Sequence, residues 1–548
     1  MKTLSFIVAA ATMLATMSAA VAEDAVPLAG RVASADGGAM EGVVVTAIPD
    51  GGNIRVSVVS DAEGRYRFPA TKIAPGRYTL DVRAGGYALA RPATASITAG
   101  KTAAVNLTLT PTSDVASQLS NAEWMASMPD AAERRQLINC TGCHTVERIA
   151  RSTYDSDGFM QLIPRMNQYA PMSMPTRPQL PLGERQRTSA ASGDGVRRLA
   201  DYLASINLSG REQWAYPLKP AARPTGRSTR VVITEYMMPS ELAEPHDVIV
   251  DRDGMVWWSN FGEQVLGRLD PKTGKVTEYP IPVRKEDAPK GSLDLELDDS
   301  GKLWIANMFQ AQIGRFDPRT ETFAFFTLPA EWENNRTQLT MVEPRHASVD
   351  GKVWFSDVGT RHIYRLDLAS GKIENIDPFT VFPKGSSHST YGLRTDAGNN
   401  LFYLDYAGES IGRIDAKTLA ITIHQTPTKG SRPRRGSMDD KGRIAFGEFV
   451  GGKVGLFDIA TLEMKEWPAP DHFAPYDAVI DRNDELWSGG MNGDGVLRID
   501  AKSGPSTVYP LPRKTNIRRV FVDDRTSPAT VWVGNNHSGS IIKVEPMD

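Results

Sequence analysis

The chain has 548 residues, with 62 Lys and Arg against 65 Asp and Glu and a formal charge of −3. Acids and bases are interspersed, which excludes the concentrated basic footprint of a nucleic-acid binder. The length suggests three or four domains, and 47 Gly and 36 Pro spread along it fit many short strands and turns rather than disorder.

Residues 1 to 22 read as a secretory signal. Lys2 supplies the positive start, Leu4 to Met17 an apolar stretch too short to span a bilayer, and Ala20-Val21-Ala22 a cleavage site before Glu23. No lipobox cysteine follows and no other apolar run approaches transmembrane length. The expectation is an exported, periplasmic protein that does not span the membrane. From about 27 to 110, short alternating runs such as Gly42-Val-Val-Val-Thr46, Arg65-Tyr-Arg-Phe68 and Arg77-Tyr-Thr-Leu-Asp-Val82 are separated by turn clusters. This is the pattern of a small antiparallel sandwich. The pieces Gly30-Arg-Val32, Ser60 to Phe68, Pro75-Gly-Arg-Tyr78 and Ala84-Gly-Gly-Tyr87 resemble the carboxypeptidase regulatory-like domain. That family shares its fold with some starch-binding modules, and the resemblance implies a spacer or adhesive module.

From about 118 to 210 helix formers take over. Asn121 to Asn139 carries Trp124, Met125, Met128, Leu137 and Ile138 at near-helical spacing, and Phe159 to Tyr169 and Val196 to Ile206 read as further helices. Between the first two lies Cys140-Thr-Gly-Cys143-His144, which uses both cysteines of the chain. Cys-x-x-Cys-His is the attachment spacing of a c-type haem. Two thiols three positions apart can add to the two vinyl groups of one porphyrin, and His144 is placed to bind the iron. A disulfide and a thioredoxin-like pair are the alternatives. Half of a zinc site lacks its second pair. In bacteria this attachment takes place outside the cytoplasmic membrane, in accord with the leader. The stretch Cys140 to Met166 resembles the cytochrome c family, which implies one covalent haem c and a sixth ligand on the other face of the iron. Met160, Met166, Met172 and Met174 follow the motif. In the family the ligand often lies in an extended loop beside proline, so Met174, before Pro175, is the first choice and Met172 the second.

Residues 211 to 230, with Pro217, Pro220, Arg223 and Pro224, read as a linker. From Val231 to the end one phrase recurs, from Gly267-Arg-Leu-Asp and Gly314-Arg-Phe-Asp to Leu497-Arg-Ile-Asp. Each copy follows a strand centred on Trp257, Trp304, Trp354, Phe402 or Trp487 or their equivalents. The period, roughly 40 residues or a little more, is that of a four-stranded propeller blade. Seven blades are expected, the last closed by Val231-Val-Ile-Thr-Glu-Tyr-Met-Met-Pro239. The fold class is therefore multidomain and mainly β: a β-sandwich, a small all-α cytochrome c domain and a seven-bladed propeller over 231 to 548.

The repeat phrases resemble the streptogramin (virginiamycin B) lyase family, whose members cleave a cyclic ester by elimination with a histidine base and a metal held by acidic residues. Glu244 and His246 match that family's glutamate and histidine. Asn260 stands where its second glutamate belongs, and an amide is the weaker ligand for a divalent cation. The second histidine has no clear counterpart. In register with His246 are Tyr391, Arg434 and Tyr476, with Glu343 or His346 in the third blade. In register with Asn260 are Asn307, Asp357, Asp405, Glu448 and Asn535. Asp357, Asp405 and Glu448 can hold a divalent cation or a cationic group, and Arg434 with Arg435 an anion. The expected function is electron transfer through the haem, coupled to recognition of a small molecule or a redox partner protein. The alternative is a carbon–oxygen lyase or binding propeller with a fused electron carrier.

Overall fold

The structure, a computed structural model, describes residues 26–180 and 193–548. The expected signal segment lies outside them. Among the described residues no helix is long and apolar enough to cross a membrane.

The first module is a two-sheet sandwich. One sheet orders Arg65–Phe68, Leu28–Ser34, Leu107–Pro111 and Tyr87–Leu89. The other contains Ile54–Val59, Val44–Pro49, Gly76–Arg83 and Ala93–Ile97. Period-2 alternation sends Tyr66 and Phe68 inward, where they meet Val32, Val45, Leu80 and Leu107.

From Val231 onward come six separate four-stranded sheets and a seventh four-stranded blade that is part of a larger sheet. The recurring phrase has a physical explanation at each position. Its glycine faces the aromatic ring of the neighbouring strand: a Cβ on Gly267, Gly412 or Gly455 would lie 2.0–2.1 Å from Trp258, Tyr403 or Phe446. Its arginine stacks on the aromatic of the preceding strand, as Arg268 on Trp257 (5.6 Å), Arg365 on Trp354 (5.0 Å) and Arg498 on Trp487 (5.0 Å). Its aspartate caps the following turn, as Asp270 does by accepting from Lys272 N and Thr273 Oγ1 at 2.9 Å.

The seventh blade is closed by Val231–Met237, antiparallel to Ser540–Pro546. The circular closure read from the sequence is thus present. The other edge of Val231–Met237 pairs with Ile54–Val59 of the sandwich. Blade and sandwich therefore share one eight-stranded sheet, and no edge of the closing strand is left open.

The helical stretch does not stand apart as a clear all-α cytochrome domain. Its helices are α1 (Asn121–Ser127), α2 (Leu137–Cys140), α3 (Val146–Ala150), α4 (Ser156–Asn167) and α5 (Asp194–Ile206). The single helix expected over 121 to 139 breaks at Met128, which is extended because Pro129 follows it. Trp124, Leu137, Val146, Phe159, Leu203 and Ile206 make a local core against which Cys140 packs. The connector is not an unattached tether: Trp214 Nε1 donates to Ala150 O (2.9 Å), and Arg223 Nε to Glu41 O (2.9 Å).

Arg83 ties all three modules. From the sandwich it donates to Gln118 O (3.2 Å) of the helical stretch and to Leu511 O (3.0 Å) and Asp494 Oδ2 (2.5 Å) of the propeller. Arg83→Ala leaves the buried Asp494 without its cation. It is expected to cost about 1–3 kcal/mol, read as a lower urea midpoint, with Arg83→Lys intermediate. An unchanged midpoint would show that the three modules are not coupled through this side chain.

Candidate functional site

Strand register sets one residue per blade at the funnel mouth: His246, Leu293, Thr340, Tyr391, Arg434, Tyr476 and Arg518. The third-blade position belongs to Thr340, not to Glu343 or His346. Glu343 pairs with Arg394 (3.3 Å), and His346 bonds Thr395 beyond the other end of the strand. Arg518 was not foreseen. In both blades the inner hairpin is three residues longer than in the first. Seventeen residues separate Thr340 from Asp357 and Arg518 from Asn535, where fourteen separate His246 from Asn260. A fixed spacing therefore misses both.

One residue deeper the axis is ionic. Arg435 donates to Asp247 (2.9 and 2.6 Å) and Asp294 (2.5 Å), and Arg519 Nη1 to Asp247 (2.9 Å). Arg435 is fully buried and spent in this network, so it is not part of an anion site. Its neighbour Arg434 is different. Its guanidinium lies 3.9 Å from the ring of Tyr476, 4.4 Å from Phe449, 4.7 Å from Tyr406 and 4.9 Å from Tyr391. The Tyr391 and Tyr476 hydroxyls bond to each other.

His246 is buried against Phe261, with ring centroids 4.8 Å apart. Its Nδ1 bonds Asp247 Oδ1 at 2.7 Å. Burial opposes ionisation of Asp247, but Arg435, Arg519 and His246 together hold its carboxyl well below the usual range. Nδ1 is therefore the donor, and Nε2 is left bare with no hydrogen-bond partner in the protein. Burial pushes the imidazole down to about 4 in spite of Asp247. An imidazole so low is a weak base at neutral pH.

Glu244 lies beside it. Its Oε2 accepts from Arg177 Nη2 at 3.0 Å, and Arg177 also pairs with Glu263 (2.7 Å). Burial pushes Glu244 up to about 8 although Arg177 and Arg518 pull it down.

The carboxylates and amides in register with Asn260 act mainly within their own blades. Asn260, Asp357, Asp405 and Asn535 each accept through Oδ1 from the backbone N–H of the loop entering the blade, Glu244, Gln338, Ser389 and Asn516. The Oδ2 of Asp405 also takes His388 Nδ1 at 2.5 Å. Burial and the neighbouring Glu466 push Glu448 up to about 9. The Asn307 amide is buried with no partner in the protein. Among the described residues no three His, Cys, Asp or Glu side chains gather closely enough to hold a metal ion. Asp357, Asp405 and Glu448 do not gather as the cation site expected from their register.

The Cys140–His144 loop sits on this same rim. Asn516 Nδ2 donates to Thr141 O (3.0 Å), and Arg518 Nη2 donates to Gly142 O (2.8 Å). Lys514 pairs with Glu147 of α3, and Ala122 N bonds Asn492 O (2.9 Å). No disulfide joins Cys140 and Cys143, and burial pushes the Cys140 thiol up to about 12, which disfavours its thiolate. His144 Nδ1 donates to Thr145 O at 3.0 Å. That leaves Nε2 as the ring's donor atom for a metal, the usual division of labour in a ligating histidine. Of the methionines, Met172 is fully buried in the same apolar cluster as Phe261 and Tyr476. Met174 is half-buried, bridging Arg177 on the same loop. Met160 packs in the helical core, and Met166 is half-buried near the end of α4.

Residues 27–110 match the carboxypeptidase regulatory-like domain family. No curated protein matches the chain. A streptogramin B lyase structure is similar over 59% of this chain and 99% of its own, with a TM-score of 0.50 and 21% identity. Selenomethionine-substituted virginiamycin B lyase from Staphylococcus aureus is similar over 57% of this chain and 98% of its own, with a TM-score of 0.48 and 20% identity. The streptogramin B lyase likeness shows the propeller fold.

The raised carboxyl of Glu244 predicts a pH effect. A group protonated in the folded state up to about 8, but ionised in the unfolded chain above the ordinary range, withdraws stability as pH rises between the two values. Glu244→Gln keeps the neutral form. The variant should gain on the wild type in denaturant midpoint between pH 5 and pH 8. Parallel pH curves would refute this assignment.

Proposed function

We propose that the protein is an exported electron carrier whose lyase-like propeller serves as a binding module for a small molecule. The supporting observation is the seating of the Cys140–His144 loop on the funnel rim through Asn516 and Arg518. A fused carrier with an unrelated task needs no such contact. Cys140 and Cys143 would hold a haem c by thioether bonds, and His144 Nε2 would bind its iron. Met174, or Met172 on the same loop, would supply a further ligand to the iron. The haem supplies reversible one-electron transfer. The chain's own contribution is to orient His144 through Thr145 O, to shield the motif with the apolar core around Trp124 and Leu137, and to fix it above the funnel.

The lyase reading has one observation in its favour: Glu244 and His246 stand together at the mouth of a propeller that resembles streptogramin B lyase. Against it, Arg177 occupies Glu244, and burial leaves His246 a weak base. Turnover of a streptogramin B by the purified protein, lost in His246→Ala, would establish it instead.

The carrier reading predicts a visible haem spectrum when the chain is exported from a host able to attach haem c. The pigment should stay with the polypeptide under denaturing conditions and be absent from the Cys140→Ser, Cys143→Ser double variant. Met174→Leu should change the oxidised spectrum, and no change would move the sixth ligand to Met172. A wild-type chain without haem in such a host would overturn the reading.

A further inference from the structure

Arg518 touches both the funnel and the motif loop, beside Asn516 and His537, which also bond the loop. Its Nη2 caps the Gly142 carbonyl, and its Nε donates to Asn516 Oδ1 (2.8 Å), whose own amide holds Thr141 O. Its guanidinium also lies 5.0 Å from the ring of Phe261 and 5.8 Å from that of Tyr476. Tyr476 in turn carries Arg434 at 3.9 Å. Both guanidinium groups thus lie against the same aromatic ring.

Among the described residues neither cation forms an ion pair. The nearby acids do not neutralise them: burial pushes Glu244, which lies on Arg177, up to about 8, and Asp247 is paired with Arg435 and Arg519. A buried cation (Arg518) and a half-buried one (Arg434), held against aromatic rings without an ion pair, are costly unless an anion joins them. Arginine forks suit a carboxylate. The aromatic walls suit a flat apolar body. The bare Nε2 of His246 and the Nε of Arg434 are both buried without a hydrogen-bond partner in the protein. A buried unsatisfied group calls for an explanation. Since His246 Nδ1 is committed to Asp247, Nε2 can only accept, which calls for a ligand hydroxyl.

We propose that the funnel rim between Arg434 and Arg518 binds a hydroxyl-bearing aromatic carboxylate, and that Arg518 transmits its binding to the motif loop at Gly142. This deepens the binding-module reading and, for the coupling, rests on the haem reading. Arg434 and Arg518 take the carboxylate, Tyr476 and Phe261 face the ring, and His246 Nε2 accepts from the hydroxyl. Arg518 is a positioning residue for the haem motif. Its positive charge beside the loop favours the reduced iron, and an anion that neutralises it favours the oxidised one. By linkage the oxidised protein then binds the ligand more tightly, by about 5-fold or more.

The test uses the full haem-loaded chain with 4-hydroxybenzoate as probe and benzoate as comparator. Calorimetry should show saturable binding, tighter for 4-hydroxybenzoate and weakened about 10-fold or more in Arg434→Gln, the loss of a charge-assisted bond. Spectroelectrochemistry should show the midpoint potential falling on saturation with the probe. Arg518→Gln should lower the potential without ligand and abolish the shift. Arg518→Lys, which keeps the charge, should restore the unliganded potential and guards against a variant that merely misfolds. No saturable binding to the wild type, equal affinity in Arg434→Gln, or a potential indifferent to the probe would each overturn the proposal. Failure of the haem reading is separately visible: the spectrum would be absent, while the Cys140→Ser, Cys143→Ser chain would still bind the probe.

Discussion

The strand Val231–Met237 is the constraint on which the rest of the molecule depends. It is bonded along both edges, to Ser540–Pro546 of the last blade and to Ile54–Val59 of the sandwich. Closing the propeller with its first strand joins the two ends of a long chain segment, so the ring cannot open at the seventh blade without losing a full ladder of hydrogen bonds. The same strand fixes the sandwich. Because the helical stretch runs directly into it through an ordered connector, that stretch is held over the funnel as well. Arg83 reinforces the arrangement from the side, with one guanidinium serving three modules.

Much of this was legible in the sequence, for reasons that can be named. The propeller repeats were readable because each position of the phrase answers a local need. A glycine gives way to a facing ring, an arginine stacks on the neighbouring aromatic, and an aspartate caps a tight turn. The closing strand was readable because Thr234-Glu-Tyr copies an outer-strand phrase found in complete blades. What could not be read depends on contacts distant in sequence. The pairing of the closing strand with the sandwich leaves no mark beyond two ordinary β patterns. The break of the first helix was readable from Pro129, which a purely periodic reading passes over. Thr340 and Arg518 were hidden because their hairpins are three residues longer, which shifts a fixed spacing off the rim.

The site shows how burial decides chemistry. His246 and Glu244 have the residue types of an acid–base pair, yet their surroundings push both toward neutrality. Burial outweighs the support that Asp247 gives to the basicity of His246. Glu244 is enclosed and tied to Arg177. The carboxylates that look like a cation site from spacing are turned to loop N–H groups in Asp357 and Asp405. By contrast, Arg434 and Arg518, which form no ion pair among the described residues, lie where aromatic rings line the mouth. The balance of the rim is therefore anion-seeking, whereas a metal site would need the opposite excess.

The Cys140–His144 loop is seated on the propeller through Asn516 and Arg518. The measurement that tests it most directly is zero-length carbodiimide cross-linking of the full chain followed by peptide mass spectrometry. The ion pair between Lys514 of the seventh-blade entry loop and Glu147, just after the motif, should be captured as a cross-link. The pair Lys453–Glu466 within one blade serves as the internal reference. Recovery of both cross-links at comparable yield is the result this account predicts. Recovery of Lys453–Glu466 without Lys514–Glu147 would mean that the helical stretch does not rest on the funnel, and would contradict it.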